Sequence, residues 1–403
     1  MKLYAQQGYG TGTKIIDGLN QGVVQGAILS PKDYRLERVN ELLATMATSF
    51  PDADRLFDPQ FYASLIAHDP AARMGRLTEG DLDTKQYPYF GPRHRTGFET
   101  EANIIRDLRS GLQFQASLNV TSVIAPNVLI RRSLNSIEAV IAKNFVRQAA
   151  SVWAEVGDHR PLLATIAVDS DALQDRHELE AFLADLTIME NPPSGFYLLV
   201  SNPTSQIGPE LIDYRTLAGW MLMNHALNLN GFNVVNGFSD ILTPFLAAAG
   251  GSAGATGWWA NLKIFSMDRF EPPSPGGRRP VLRYLSKPLL NSIRFDELER
   301  LRHFFPVMNG LGTDGLYAPA NGSQPDDQKA EVLQTWDSIS SFETSGSAPT
   351  LQGCLAAVSN AEALYDSINS SPAMRLTGRS NGDHLEHLRG GIELFAQLAE
   401  IEV

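Results

Sequence analysis

Two aspartates follow strand-like apolar runs and are the best candidates for acid–base chemistry in this chain. Asp58 follows RLF in the stretch RLFDPQFYASL, and Asp169 follows LLATIAV. Paired carboxylates suit glycosidic-bond chemistry, because one can donate a proton while the other stabilises positive charge on the sugar. We therefore predict Asp58 and Asp169 as catalytic residues that act as acid, base or nucleophile.

Each aspartate also has a structural interpretation. Proline suits the first position of a helix, so Asp58, which precedes Pro59, is placed to cap a helix N-terminus. Asp169 could cap a helix too, although Asp175 and Glu178 already have the spacing of a capping box for the helix that follows. The sequence leaves both interpretations open.

Polar and aromatic residues after other apolar runs form a second group of candidates. Amide and hydroxyl groups supply donors and acceptors for a sugar or a base, although asparagines at such positions also stabilise turns. Of the consecutive tryptophans in TGWWAN, one must point away from the other, which leaves one able to floor a pocket. The predicted substrate-binding residues are Ser30, Gln60, Asn127, Asn202, Asn236, Trp258 and Asn261.

The same positions argue against a metal or a nucleotide cofactor. They contain no histidine, which disfavours a metal-dependent hydrolase. The single cysteine, Cys354, excludes an internal disulfide and a cysteine-rich zinc site. The turn SPKDY after GVVQGAIL lacks the glycine fingerprint of a dinucleotide-binding fold. We predict no metal and no cofactor.

Strand-like and helix-like runs alternate along the first three quarters of the chain. Continuously apolar strands suit a parallel sheet buried on both faces, and eight strand–helix units are the number in a (β/α)8 barrel. A TIM-type (β/α)8 barrel is the predicted fold, with an open doubly wound sheet of about six or seven strands as the alternative, because SAGATG has poor strand propensity. The strand-like runs are GVVQGAIL, RLF, SVIA, LLATIAV, FYLLVS, FNVVNG, SAGATG and PVLRYLS.

Residues at helix ends support the helical part of this pattern. Asn135 with Glu138 has the spacing of a capping box, as Asp175 with Glu178 does. Gly231 stands where a glycine commonly ends a helix. In a barrel, the candidate residues would meet at the carboxyl ends of the strands.

Two segments lie outside the repeat. Residues 69–98 contain many turn residues, the aromatic cluster YPYF and a basic cluster, which together favour a lid over a disordered loop. After Phe305, the stretch GLGTDGLYAPANGSQPDD has the composition of a linker and precedes three helical stretches. The predicted domains are a barrel over residues 1–306 and a linker with a helical C-terminal appendage over residues 307–403.

Charge and hydropathy limit the kinds of partner that the protein can bind and the places where we expect it in the cell. The chain has 33 Lys and Arg against 45 Asp and Glu, a net charge of −12, so nucleic acid could bind only through a local basic patch such as Arg278, Arg279 and Arg283. The start MKLYAQQGYGTG has no signal-peptide pattern, and no run of about 18 apolar residues occurs. We predict a soluble cytoplasmic protein without a membrane partner.

One motif resembles a known enzyme family. RLFDPQF is similar to the Asp-Ser-Gly-Gly-Phe-Gln motif that ends an early strand in tRNA-guanine transglycosylases, which are (β/α)8 enzymes of about this length. Asp58 and Phe61 match that motif in type and spacing, and the two glycines are absent. RFEPPSPGGRRP and NGDHLEHL loosely resemble the family's late basic stretch and its histidine-bearing C-terminal helix. The resemblance implies glycosyl-transfer chemistry on a nucleoside.

The sequence departs from that family at two functional points. The family binds structural zinc through three cysteines and a histidine, whereas this chain has only Cys354 before His384. The family's nucleophilic aspartate ends a strand in the second half, where GATGWWANL has no acid and Asp240 is the nearest carboxylate. These differences place the reaction and the zinc site in question.

Two functional classes follow from the sequence. The first is a metal-independent barrel enzyme that acts on a nucleobase, nucleoside or sugar. The alternative is a catalytically inactive barrel that serves as a binding or scaffold component, with the C-terminal helices as a surface for a protein partner. Convergence of Asp58, Asp169 and the asparagines on an open pocket would support the enzyme, and a mouth filled by residues 69–98 would support the scaffold.

Overall fold

Eight parallel strands form a nearly closed barrel surrounded by helices, which confirms the predicted (β/α)8 TIM-type fold. The computed structural model describes all residues except 11, 82–83, 206–207, 209–211, 273–280, 318–327, 343–348, 377 and 403. The parallel strands are β1 (Lys2–Gln6), β2 (Gly26–Leu29), β3 (Asp54–Phe57), β4 (Val123–Ala125) with its short continuation β5 (Leu129–Ile130), β6 (Leu162–Asp169), β7 (Gly195–Ser201), β8 (Asn233–Asn236) and β9 (Ala253–Thr256).

The barrel closes between β3 and β4. The hydrogen-bonded order runs β3-β2-β1-β9-β8-β7-β6-β4, so these two strands are its edges. The backbone N–H of Thr121 donates to the carbonyl of Arg55 at 2.8 Å, and the N–H of Arg55 donates to Thr121 Oγ1 at 2.9 Å. These two bonds join the edges where a regular ladder is absent.

Helices form the outer layer of the barrel. Every residue of β7 is buried, as expected for a parallel strand covered on one side by helices and on the other by the barrel interior. The helices are α1 (Lys14–Asn20), α2 (Leu36–Ser49), α3 (Glu101–Ala116), α4 (Ile137–Val156), α5 (Arg176–Thr187), α6 (Tyr214–Leu229), α7 (Thr243–Ala248), α8 (Ala260–Lys263), α9 (Phe295–Leu301), α10 (Gln328–Ser340), α11 (Leu351–Asn369) and α12 (His384–Leu398).

The predicted strands agree with the structure except for the first and the last strand in chain order. PVLRYLS was wrongly predicted as a barrel strand: β10 (Arg283–Ser286) pairs antiparallel with β11 (Asn291–Arg294) in a separate hairpin. The strand that the sequence analysis did not predict is β1, because its first and last residues are polar and only its central residues are apolar. SAGATG does form β9, and a Cβ at Gly254 would lie 2.3 Å from Thr243 Oγ1, so small residues are required there.

Two of the three predicted helix ends are confirmed. Asp175 caps α5 by accepting a hydrogen bond from the N–H of Glu178 at 3.0 Å. Gly231 follows α6 with a left-handed φ of 82°. The Asn135 cap is wrong by one residue, because Ser136 caps α4.

The C-terminal helices pack directly on the barrel. The indole N–H of Trp336, on α10, donates to the carbonyl of Thr256 at 3.1 Å, and Gly18 on α1 lies against the same ring. Gly391 lets α12 approach Leu217 on α6 closely. Since α8 is a single turn, α10 supplies a longer helix next to β1 and β9. The domain division at residue 306 stays a prediction.

The described parts of residues 69–98 lie over the ends of β2 and β3. Tyr87, Tyr89 and Phe90 are buried. The Tyr87 hydroxyl donates to the carbonyl of Tyr34 at 2.7 Å, and the Tyr89 hydroxyl donates to that of Pro59 at 2.9 Å. The predicted role of this segment in controlling access stays a prediction. None of the described helices has the length and apolar composition needed to cross a membrane.

Candidate functional site

An open cleft of about 340 Å³ lies at the carboxyl ends of β5, β6 and β7. This is the end of a TIM barrel that carries active sites, and the volume is within the usual range for small-molecule pockets. The segment after β9 completes its wall. The cleft is lined by Leu129, Arg131, Arg132, Asp169, Ser170, Asp171, Ser201, Asn202, Pro203, Ser266, Met267, Asp268 and Glu271.

Asp169 is the last residue of β6 and is half-buried in this cleft. It occupies the N-cap position of the 3₁₀ turn Ser170–Leu173, but its side chain makes no capping hydrogen bond. Burial raises the pKa of its carboxyl, while the positive charge of Arg131 and the hydroxyl of Ser201 oppose that shift. A carboxyl with a raised pKa can hold a proton for transfer nearer to neutral pH.

Residues with unusual backbone conformations cluster at the mouth of the barrel. Six described residues other than glycine have positive φ, and four of them follow barrel strands: Gln60, Arg132, Phe238 and Asp240. Such conformations cost about 1–3 kcal/mol each and persist where the surrounding structure enforces them, often at functional sites. Arg132, with φ of 63°, is the one that lines the cleft.

Hydrogen bonds join the loop after β7 to the segment after β9 in the wall of the cleft. Asp268 Oδ2 accepts hydrogen bonds from the N–H and the hydroxyl of Ser205 at 2.8 and 2.9 Å. The N–H of Asn202 donates to the carbonyl of Phe265 at 2.9 Å. These bonds hold the predicted substrate-binding residue Asn202 in the cleft wall.

Asp58 lies in a different environment, inside the barrel. It is 1% exposed, and its carboxylate accepts hydrogen bonds from the N–H of Gln60 and the hydroxyl of Tyr62, both at 2.9 Å. The hydroxyl of Tyr197, from the far side of the barrel, lies 3.5 Å away. Burial raises the pKa of Asp58 to about 6, although these bonds favour the ionised form.

The predicted helix cap at Asp58 is wrong. The segment that follows is the 3₁₀ turn Phe61–Leu65, and the residue before it is Gln60 in a left-handed conformation. Asp58 instead bonds the backbone two residues on, which is the turn typical of aspartate. Since Asp58 does not line the cleft, the structure separates it from Asp169.

Three predicted binding residues are buried and hydrogen-bonded within the fold. Ser30 Oγ donates to the carbonyl of Gln7 at 3.3 Å. Asn127 Nδ2 donates to the carbonyl of Thr165 at 2.6 Å, which bridges the break between β4 and β5. Asn236 Oδ1 accepts the indole N–H of Trp220 at 2.7 Å. These contacts support a structural role for all three side chains.

The remaining predicted residues also lie outside the cleft lining. Gln60 Oε1 accepts a hydrogen bond from the N–H of Lys32 at 3.1 Å. Both indole N–H groups of Trp258 and Trp259 donate to the carbonyl of Tyr9, at 3.0 and 2.9 Å, and Trp258 lines a separate pocket with Lys14 and Tyr34. Asn261 is half-buried, and its Oδ1 has no partner among the described residues.

Sequence reasoning missed much of the cleft. Arg131 and Arg132 follow β5, which was hidden because Pro126 and Asn127 interrupt the strand after SVIA; the apolar VLI was the available signal. Asp268 was missed because it lies well beyond the end of β9. No group of three histidine, cysteine or acidic residues in the described part of the chain could hold a metal ion. Arg278 and Arg279, from the predicted basic patch, lie outside the described residues.

Comparisons with known proteins assign no family to the chain. A scan of protein-family models found no match, and a search of curated proteins found none either. The resemblance to tRNA-guanine transglycosylases therefore stays a prediction.

Proposed function

We propose that this chain is a metal-independent barrel enzyme that acts on a sugar, or on the sugar part of a nucleoside, by glycosyl-transfer-type chemistry. The observation that supports this most strongly is Asp169: a half-buried carboxylate at the end of a barrel strand, in an open cleft of about 340 Å³. Asp169 is the proton-transfer residue in this proposal. Its raised pKa suits a group that protonates a leaving oxygen.

The chemistry of the lining favours a polyhydroxylated ligand. Arginine, serine and asparagine side chains offer donors, and three further carboxylates, Asp171, Asp268 and Glu271, offer acceptors. None of the described lining residues is aromatic, so the cleft has no ring on which a flat base would stack. A sugar, which both donates and accepts through its hydroxyls, fits this lining better than an isolated nucleobase does.

The reaction requires a proton donor and a group that stabilises positive charge on the sugar. Asp169 gives its proton to the leaving atom, the glycosidic oxygen of a sugar or the base nitrogen of a nucleoside, as the bond from that atom to the anomeric carbon breaks. The anomeric carbon then bonds to the acceptor oxygen of water or of a second hydroxyl compound, whose proton returns to Asp169. Arg131 lies close enough to influence the charge on Asp169 and can position the leaving group. The second carboxylate is supplied by Asp171 or Glu271, which line the same cleft.

A ligand screen tests the binding step. Thermal-shift measurements with sugars, nucleosides and nucleobases should find a stabiliser among compounds that carry a sugar. An Asp169→Asn variant should still be stabilised by that compound but should lose turnover. The control is Asp52→Asn, which changes an exposed aspartate before β3, at the opposite end of the barrel. Stabilisation by free nucleobases alone would contradict the proposal.

A non-catalytic binding role is the second candidate, because the described part of residues 69–98 covers the mouth over β2 and β3. Tyr87 and Tyr89 are buried there, and their hydroxyls donate hydrogen bonds to the loops after β2 and β3. In that case a ligand would bind in the cleft without being turned over. Product analysis after prolonged incubation with the stabiliser separates the two candidates.

A further inference from the structure

A buried arginine next to the cleft has incomplete pairing. Arg269 follows Asp268, and its side chain is only 1% exposed. Its Nη2 lies 3.5 Å from Asp33 Oδ2, which is long for a charge-assisted hydrogen bond. Its Nε and Nη1 have no hydrogen-bond partner among the described residues. Donors of a buried charged group are rarely left without a partner, because desolvation is then uncompensated.

A second cation shares the same carboxylate. Lys32 Nζ lies 3.6 Å from Asp33 Oδ1, and its side chain is 15% exposed. Asp33 therefore faces two cations and makes only long contacts with both. Burial lowers the pKa of Lys32, and the positive charge of Arg269 adds to that effect. Asp58, a further carboxylate near Arg269, is already bonded by Gln60 and Tyr62.

Aromatic rings surround this pair of cations. The guanidinium carbon of Arg269 lies 5.5 Å from the ring centre of Phe238 and 5.3 Å from that of Phe270. Lys32 Nζ lies 5.9 Å from the Phe270 ring centre. The rings fix the guanidinium and exclude water, which strengthens its attraction for an anion.

Residues 73–76 cover the cations from the solvent side. The N–H of Arg73 donates to the carbonyl of Phe270 at 2.6 Å, and the N–H of Arg76 donates to that of Lys32 at 3.0 Å. Gly75 has a φ of 55°, and a Cβ there would lie 2.3 Å from the Lys32 carbonyl oxygen. The segment is thus bonded to the backbone of Lys32 and to that of Phe270, the residue after Arg269.

We propose that Arg269 and Lys32 form a second binding site, which takes the phosphate group of a small molecule beneath residues 73–76. A phosphate oxygen would accept the unpartnered N–H groups of Arg269, while the ammonium of Lys32 neutralises charge at the solvent side. Arg269 lies in the segment after β9, the last barrel strand, and Lys32 lies in the loop after β2. The site is separate from the cleft around Asp169.

Inorganic phosphate is the probe for this site. Isothermal titration of the full chain should show saturable phosphate binding, and Arg269→Met should weaken it at least tenfold. Lys32→Met should weaken it as well, and it serves as the second test if Arg269→Met fails to fold. Phosphate should also slow cleavage by trypsin after Arg73 and Arg76 in the native protein.

Arg131, one of the two exposed arginines that line the cleft, is the matched control. Arg131→Gln should leave phosphate affinity within about twofold of the parent protein, because the proposed site does not include it. The proposal is overturned if the parent chain binds no phosphate, or if Arg269→Met and Lys32→Met both retain binding, whatever the effect of Arg131→Gln.

Discussion

Asp169 and Asp58 follow barrel strands in the same way, yet their surroundings are opposite. Asp169 lines an open cleft and makes no capping bond, whereas Asp58 is enclosed by Gln60, Tyr62 and Tyr197. Both carboxyls have raised pKa values because of burial. The difference shows that the end of a strand does not by itself decide the exposure of a side chain, because side chains from other strands can enclose it.

The largest expected effect is a difference in turnover between the variants of the two aspartates. Asp169→Asn should lower kcat by between about a hundredfold and ten-thousandfold, because it removes the proposed proton donor. Asp58→Asn should lower kcat less than about tenfold. Steady-state rates on a panel of chromogenic glycosides and nucleosides provide the measurement. A loss for Asp58→Asn as large as that for Asp169→Asn would instead support the catalytic role predicted for Asp58 from the sequence.

The next effect concerns pH and the enclosed carboxyl. The pKa of Asp58 is about 6 in the folded chain, against about 4 when unfolded, so the folded state binds this proton more tightly. The associated stability is present below about pH 4 and is lost as the pH rises through 6, by about 2–3 kcal/mol. Asp58→Asn should lack this loss in urea unfolding measured from pH 4 to pH 7.5. A variant with the parent's pH profile would show that Asp58 is not the group responsible.

A smaller effect tests how the described part of residues 69–98 packs over the ends of β2 and β3. Tyr89→Phe removes the hydroxyl that bonds the carbonyl of Pro59 and should cost about 1 kcal/mol of unfolding free energy. Tyr9→Phe is the control, because Tyr9 is 73% exposed. Equal stabilities of the two variants in urea unfolding would contradict the packing described for this segment.

The smallest effect concerns the strained residue of the open cleft. Arg132→Gly should raise the unfolding free energy by about 0.5–1 kcal/mol, since glycine adopts positive φ without strain. It should also weaken sugar binding in the cleft. Arg131→Gly should lower stability or leave it unchanged, so a gain of stability for Arg131→Gly would contradict this assignment of strain.

The sequence predicted the architecture better than it predicted the site. Strand and helix periodicity were sufficient for the barrel, because they depend on local patterns. The strand β1 was missed since KLYAQ is short and has polar ends, and Arg131 and Arg132 were missed since Pro126 interrupts their strand. The enclosure of Asp58 depends on Tyr197, which is 139 residues away in the chain, so no local motif could reveal it.

A crystal structure with a bound sugar tests the central claim most directly. The sugar that gives the largest thermal shift would be soaked into crystals of Asp169→Asn, which should bind it without turnover. The account predicts the sugar in the cleft, in contact with residue 169 and with Arg131 and Asn202. A sugar bound inside the barrel beside Asp58, with the cleft unoccupied, would contradict the account.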